Sequence, residues 1–159
     1  MNVKIICVGK LKERFYEDAV KEFMKRLSRY GTFEIVEVAD EKAGEQLSPM
    51  QKIQVKRTEG EKILSHIQSG EYLIATAIDG KMLSSEELSC KMGDIMLSGK
   101  SRICIVIGGS LGLSDEVLSR ADFKLSFGKA TFSHQIFRIM LLEQLYRCFR
   151  IMNNEPYHK

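Results

Sequence analysis

Apolar residues along this chain gather either in short unbroken runs or at three-to-four spacing, and the two patterns alternate. The clearest run is Ile103-Cys104-Ile105-Val106-Ile107, which has no polar alternation. It reads as a strand covered on both faces, as central strands of parallel α/β sheets are. The run stops on Gly108-Gly109, where the backbone can turn sharply and approach a neighbour closely. Ser114-Asp115-Glu116 then supplies a helix N-cap with two acids in the first turn. Ligands of open α/β sheets sit beyond the carboxyl ends of the strands, which makes Gly108 to Gly112 the first candidate site. Its spacing matches neither G-x-G-x-x-G nor a phosphate loop, so a tight turn that binds nothing is an equal reading of these glycines taken alone.

The same reading predicts the other elements. Val3 to Val8 forms a strand that turns at Gly9. From Glu13 to Tyr30, Phe15, Ala19, Phe23 and Leu27 recur at helical spacing, and Gly31 ends the helix. Phe33 to Val38 alternates loosely, as suits an edge strand, and Ala39 to Leu47 is a loop. Ser48-Pro49 starts a helix to Ser69, Ser as cap and Pro in the first turn. Its charged middle (Lys52, Lys56, Arg57, Glu59, Glu61, Lys62) reads as a solvated face with salt-bridging pairs rather than an RNA patch. Tyr72 to Ile78 is a strand and Asp79-Gly80 a turn. Ser84 and Glu87 form a capping box for a helix to Ser98. Arg102 to Ile107, Ser114 to Ala121 and Phe123 to Ser126 complete a strand–helix alternation. The predicted fold class is α/β, a predominantly parallel sheet with helices on both faces, in a single domain over residues 1–159.

The last third differs. After a loop from Phe127 to Ser133, a helix is predicted from His134 to Met152 that is apolar nearly all round. Phe137, Leu141, Leu142, Leu145 and Phe149 lie on one side, Ile136, Met140 and Ile151 on the other. A helix of that kind is buried twice, and in a small chain the second burial is most economically another subunit, so a homodimer is expected. Arg138 falls on the apolar side, so it should be paired or reach a wet cleft, a structural ion pair being the favoured reading. His134 reads as a structural residue where loop meets helix, and His66 as a surface one. The tail Pro156-Tyr157-His158-Lys159 must lie close to the dimer body, yet it should contribute little to any core.

Composition narrows the class without naming a chemistry. A chain of 159 residues, 44% hydrophobic, supports one well-buried domain, and a net charge of +3 permits a nucleic-acid partner without demanding one. No apolar run approaches membrane-spanning length, so no membrane partner and a cytoplasmic location are expected. Cys7, Cys90, Cys104 and Cys148 are far apart, which favours free thiols over disulfides and gives no metal site.

Several motifs together resemble a known family. Ile107-Gly108-Gly109-Ser110, Leu125-Ser126-Phe127, Thr131-Phe132-Ser133-His134-Gln135, Glu143-Gln144-Leu145-Tyr146-Arg147 and Pro156-Tyr157-His158-Lys159 are similar to those of the RlmH-type ribosomal RNA large-subunit methyltransferases, small members of the SPOUT class. The resemblance spans essentially the whole chain. It implies a C-terminal trefoil knot, which periodicity cannot show. It also implies transfer of a methyl group from S-adenosylmethionine to N3 of a pseudouridine in ribosomal RNA or the assembled ribosome. Carried onto this chain, it places the cofactor against Thr76, Gly108, Phe127, Gly128, Lys129, Ala130, Thr131 and Phe132. Thr76 stands where the family often has leucine, and Ser133 where it usually has proline. Removing the imide proton needs orientation and a base, for which His158 is the candidate, with Tyr157 and Arg147 positioning the substrate or steadying charge on the imide oxygens. A tRNA methyltransferase of the same fold and a non-catalytic nucleotide- or RNA-binding dimer are the alternative readings.

Overall fold

The computed structural model describes residues 1–158, and its elements follow the predicted alternation. In chain order they are β1 (Asn2–Val8), α1 (Arg14–Leu27), β2 (Thr32–Val38), α2 (Pro49–Ser65), β3 (Tyr72–Met82), α3 (Ser85–Leu97), β4 (Arg102–Ile107), α4 (Asp115–Arg120), β5 (Phe123–Ser126) and α5 (His134–Met152). The strands form one sheet in the order β2-β1-β4-β3-β5, every neighbouring pair parallel. β4 is therefore the middle strand, and the loosely alternating β2 lies at an edge, each as its pattern predicts.

Period-two geometry divides the unbroken strand runs between two cores. Ile103, Ile105 and Ile107 point into the larger core with Val3, Ile5, Cys7 and the apolar sides of α1, α3 and α5. Cys104 and Val106 point the other way, with Ile6, Val8, Ile63 of α2 and Val117 of α4. Ser48, Ser84, Ser114 and Ser133 each cap the helix that follows, accepting from the backbone N–H three residues on. Arg138 is 1% exposed and ion-pairs with Glu37 at 2.5 Å, while donating to the Gly9 carbonyl at 3.0 Å.

Three sequence readings need correction. β3 does not end at a turn: residues 77–80 bulge, and Lys81 and Met82 return to pair with Leu125 and Ser126, so Leu125 faces both Thr76 and Lys81. The bulge lies against β5 so tightly that a Cβ on Gly80 would be 2.9 Å from the Lys124 and Leu125 carbonyl carbons. Second, Glu59 does not belong to the solvated face of α2 that carries exposed Lys52, Arg57 and Glu61: it is 4% exposed, and Gly60 beside it is buried. The salt bridges of α2 run to other segments, Arg57 to Glu116 at 3.2 Å and Lys62 to Glu41 at 2.6 Å. Third, the tail is tied down. Glu155 bonds Tyr30 and ion-pairs with Arg150 at 2.5 Å, and the Tyr157 ring meets Tyr146 edge-on, with centroids 4.9 Å apart.

Candidate functional site

A cavity of about 610 Å³ opens at the carboxyl ends of β3, β4 and β5, within the size range of small-molecule sites. Residues 76–79 at the bulge of β3, 107–113 from the end of β4 onward and the segment after β5 meet there. β4 and β3 deliver two of these segments side by side because they are neighbours in register; β5, on the other side of β3, delivers the third.

Of the sequence-predicted cofactor residues, Thr76, Gly108, Phe127, Gly128, Ala130, Thr131 and Phe132 all line this cavity. Lys129 does not; its side chain is exposed beside it. The Thr76 hydroxyl is engaged already, donating to the Val106 carbonyl at 2.8 Å, so it braces β3 against β4. Gly108 explains its own identity: a Cβ there would be 2.9 Å from the Gly112 carbonyl carbon and 3.1 Å from the Leu113 side chain. The loop folds back on itself, with the Gly112 N–H donating to the Gly109 carbonyl at 3.0 Å. Ser126 pins the third segment, its hydroxyl donating to the Ile78 carbonyl at 2.9 Å and accepting from the Gly128 N–H at 3.2 Å. Gly128 has φ +125°, a conformation that glycine alone adopts freely.

His134 is a lining residue that the sequence reading left as structural. Burial, followed by the neighbouring Arg138 cation, pushes its pKa below the ordinary value, so the imidazole in the cavity is neutral at pH 7. Its ring fills the space beside Gly9, where a Cβ would be 3.0 Å from the ring carbon.

The predicted catalytic residues form a second cluster. Arg147 Nη2 donates to Glu143 Oε1 at 2.5 Å, the Tyr157 hydroxyl donates to the same oxygen at 3.1 Å, and the guanidinium stands over the Tyr157 ring at 4.7 Å. His158 lies between Glu86, 2.6 Å from Nε2, and Arg147, 3.4 Å from Nδ1. That geometry fits a neutral tautomer donating from Nε2 and accepting at Nδ1. Burial, then Glu143 beside it, pushes the Tyr157 hydroxyl above its usual value, so it stays a donor. Arg147, Tyr157 and His158 are thus brought together, but none of them lines the cavity of its own chain.

Between the two lies an apolar groove of about 670 Å³, lined by Phe23, Met82, Leu83, Ile139, Met140 and Glu143 among others. It shares Leu125, Ser126 and Phe127 with the cavity. The second side of α5 therefore remains open in the single chain, with Ile136 42% exposed. Among the described residues there is no cluster of three or more metal-ligating side chains, and no helix is long and apolar enough to cross a membrane.

A parallel α/β sheet with a cavity at its carboxyl edge is an architecture that many unrelated functions share, and comparison with known proteins gives the class. Residues 1–158 match the family model described as "Predicted SPOUT methyltransferase", and the chain belongs to that family of methyltransferases. It is 55% identical over 159 residues, the full length of both chains, to the ribosomal RNA large subunit methyltransferase H of Clostridioides difficile (strain 630). Over the same full length it is 52% identical to the protein of that name from Enterococcus faecalis (strain ATCC 700802 / V583). The structure of a probable methylase family protein from Haemophilus influenzae Rd KW20 has the same fold, at TM-score 0.56 and 15% identity over 99% of this chain and 70% of that one.

Proposed function

We propose that this chain methylates N3 of a pseudouridine in large-subunit ribosomal RNA, using S-adenosylmethionine bound in the cavity at the carboxyl ends of β3, β4 and β5. The observation that carries the reading is the cavity itself, formed by seven of the eight expected cofactor residues. They fit such a ligand: the glycine cradle at Gly108 has no room for a Cβ, and backbone groups beside apolar Phe127, Phe132 and Leu113 suit the edges and faces of an adenosyl group. When bound, the cofactor supplies an electrophilic methyl group. The chain's own residues must then hold the base in line and take up the imide proton. Arg147 and Tyr157 are a cation and a donor suited to the imide oxygens, and His158 is suited to the proton. His158 can accept at Nδ1 only by parting from Arg147, a 3.4 Å contact at the surface.

The separation of cavity and tail favours a composite site. The apolar groove adjoining the cavity is the face on which a second copy packs, bringing its own tail to this cavity. The trefoil knot belongs to the same reading, supported by the match to the SPOUT methyltransferase family. Sedimentation at micromolar concentration should give a dimer, and Met140→Glu, which puts a charge into the groove, should give monomers or insoluble protein. A wild-type monomer contradicts the composite site.

Transfer of labelled methyl to whole ribosomes, separated subunits and naked ribosomal RNA, with mapping of the modified base, tests the activity. Label in transfer RNA, or tight cofactor binding with no transfer, would replace this reading by one of its alternatives. Removing Tyr157, His158 and Lys159 should lower the transfer rate about a hundredfold or more, the scale of a lost acid–base or orienting group, while cofactor affinity changes much less. Because Tyr157 packs on Tyr146, the truncation should also lower the melting temperature by about 2–4 °C, the shift that corresponds to roughly 1 kcal/mol in a chain of this size. Full activity in the truncated protein leaves the tail without a catalytic role.

A further inference from the structure

Two carboxylates are buried among the described residues: Glu71, which pairs with Lys4 at 2.9 Å, and Glu59, which the reading above does not use. Glu59 lies in the middle of α2, is 4% exposed, and no lysine or arginine ion-pairs with it among the described residues. Glutamate is rarely buried so completely without a cation, and each half-satisfied buried group requires a reason. Oε1 accepts from the Glu41 N–H at 3.1 Å, whereas the buried Oε2 has no partner. Burial pushes the carboxyl above its ordinary value, opposed by the Glu41 N–H.

What Glu59 does touch is the back of the glycine loop. A Cβ on Gly109 would lie 2.8 Å from Glu59 Oε2 and 3.2 Å from Oε1, with Val8 at 3.1 Å. Gly109 lines the cavity and Glu59 does not, so the carboxylate presses on the loop from the side opposite the ligand. The next residue repeats the arrangement at the other end of the loop: a Cβ on Gly60 would be 2.4 Å from the Ser114 hydroxyl that caps α4. Glu59 and Gly60 together therefore fit α2 against the loop at Gly109 and at Ser114. We infer that Glu59 is a positioning residue for the methyl-donor site, acting through Gly109 to hold the Gly108–Gly112 loop in the shape that meets the cofactor.

This rests on the assignment of the cavity to S-adenosylmethionine, and a double-mutant cycle on the full chain, read by calorimetry with that compound, tests it separately. Loop displacements of an ångström are costly, so Gly109→Ala should weaken binding about thirtyfold and Glu59→Ala about tenfold, each with the melting temperature within about 4 °C of wild type. In the Glu59→Ala background the obstructing oxygens are gone, so adding Gly109→Ala should cost less than about threefold more. In steady state Glu59→Ala should raise KM for S-adenosylmethionine and leave kcat near wild type, since it touches no reacting atom. If Glu59→Ala does not fold, Glu59→Asp withdraws the carboxylate from Gly109 and should relieve Gly109→Ala in the same way. Wild-type affinity in Glu59→Ala, or losses that simply multiply in the double variant, overturns the inference. Unchanged affinity in Gly108→Val would instead remove the cofactor assignment on which it depends.

Discussion

The two ends of one sheet are built to different standards of hydrogen bonding. At the amino end Lys4 Nζ donates to Glu71 Oε1 and to the His66 carbonyl, both at 2.9 Å, and the Gln68 N–H donates to Glu71 Oε2 at 2.9 Å. The Leu73 N–H donates to Asp122 at 2.7 Å, and Arg120 to the Glu71 carbonyl at 3.1 Å. Both carboxylate oxygens of buried Glu71 are thus engaged. At the carboxyl end stand the cavity, the glycine loop and three of the four buried polar atoms without partners among the described residues, Glu59 Oε2, His134 Nδ1 and Arg138 Nε; the fourth, Arg150 Nε, lies beside Tyr30 at the other end of α5. Both ends are made by the same strands and the same two cores. The amino end closes the fold, and most of the unmet bonding capacity lies at the cavity end.

The largest test of that division is Gly108→Val. Its Cβ would fall within 3 Å of the Gly112 backbone, so the loop must move out of the shape that lines the cavity. S-adenosylmethionine affinity should fall more than about a hundredfold, while the melting temperature drops by only a few degrees because the loop bears little of either core. Calorimetry and a thermal melt on the same sample separate the two effects. A stability loss as large as the affinity loss would mean that the loop is a structural element after all.

How far the sequence disclosed each end follows from the range of the forces involved. Unbroken apolar runs and capping serines are local signals, and they place β4 at the centre and bound α5 at His134 and Met152. The cavity's glycine segment is equally local. The return of Lys81 and Met82 to β5 is not: Asp79-Gly80 has the composition of a turn, and only the packing of Gly80 on the β5 carbonyls makes the strand resume. Glu59 was obscured because a charged helix middle ordinarily faces water. The signal was its neighbour, since Gly60 inside a helix marks a close approach to another segment. The clamped tail was hidden for a similar reason, its anchors Tyr30 and Glu143 lying 125 and 14 residues from their partners.

The converse experiment is made at the amino end. Glu71→Ala leaves the Gln68 N–H without its acceptor and the Lys4 ammonium with only the His66 carbonyl and no counter-charge, so it should cost about 2–3 kcal/mol. In a protein of this size that is a fall in melting temperature of about 5–10 °C. Cofactor affinity of the folded fraction should stay within about twofold, since separated sites add independently. If affinity fell with stability, the two ends would form one coupled unit and the contrast between them would be only of appearance.

Thiol chemistry gives the finest test, because one cysteine lies toward each end. Cys7 is the last residue of β1 paired with β4, opposite Ile107 and next to the glycine-turned carboxyl edge, whereas Cys104 pairs with Lys4 near the amino end. Burial pushes both thiols up to about 12, and Cys148 likewise, while Cys90 is exposed. At pH 8 a small alkylating reagent should therefore modify Cys90 at once and the other three only through opening of the structure. If the carboxyl end opens more readily, as its unmet hydrogen bonds and cavity imply, Cys7 should react several times faster than Cys104. On the proposed assignment S-adenosylmethionine binds the closed cavity alone, so a saturating concentration should slow Cys7 about as much as it lowers the population of that opening and leave Cys104 nearly unchanged. Peptide mass spectrometry of a labelling time course reads both rates from one reaction. Equal rates for Cys7 and Cys104, equally slowed by the cofactor, would show that the sheet opens as a single unit with no looser end.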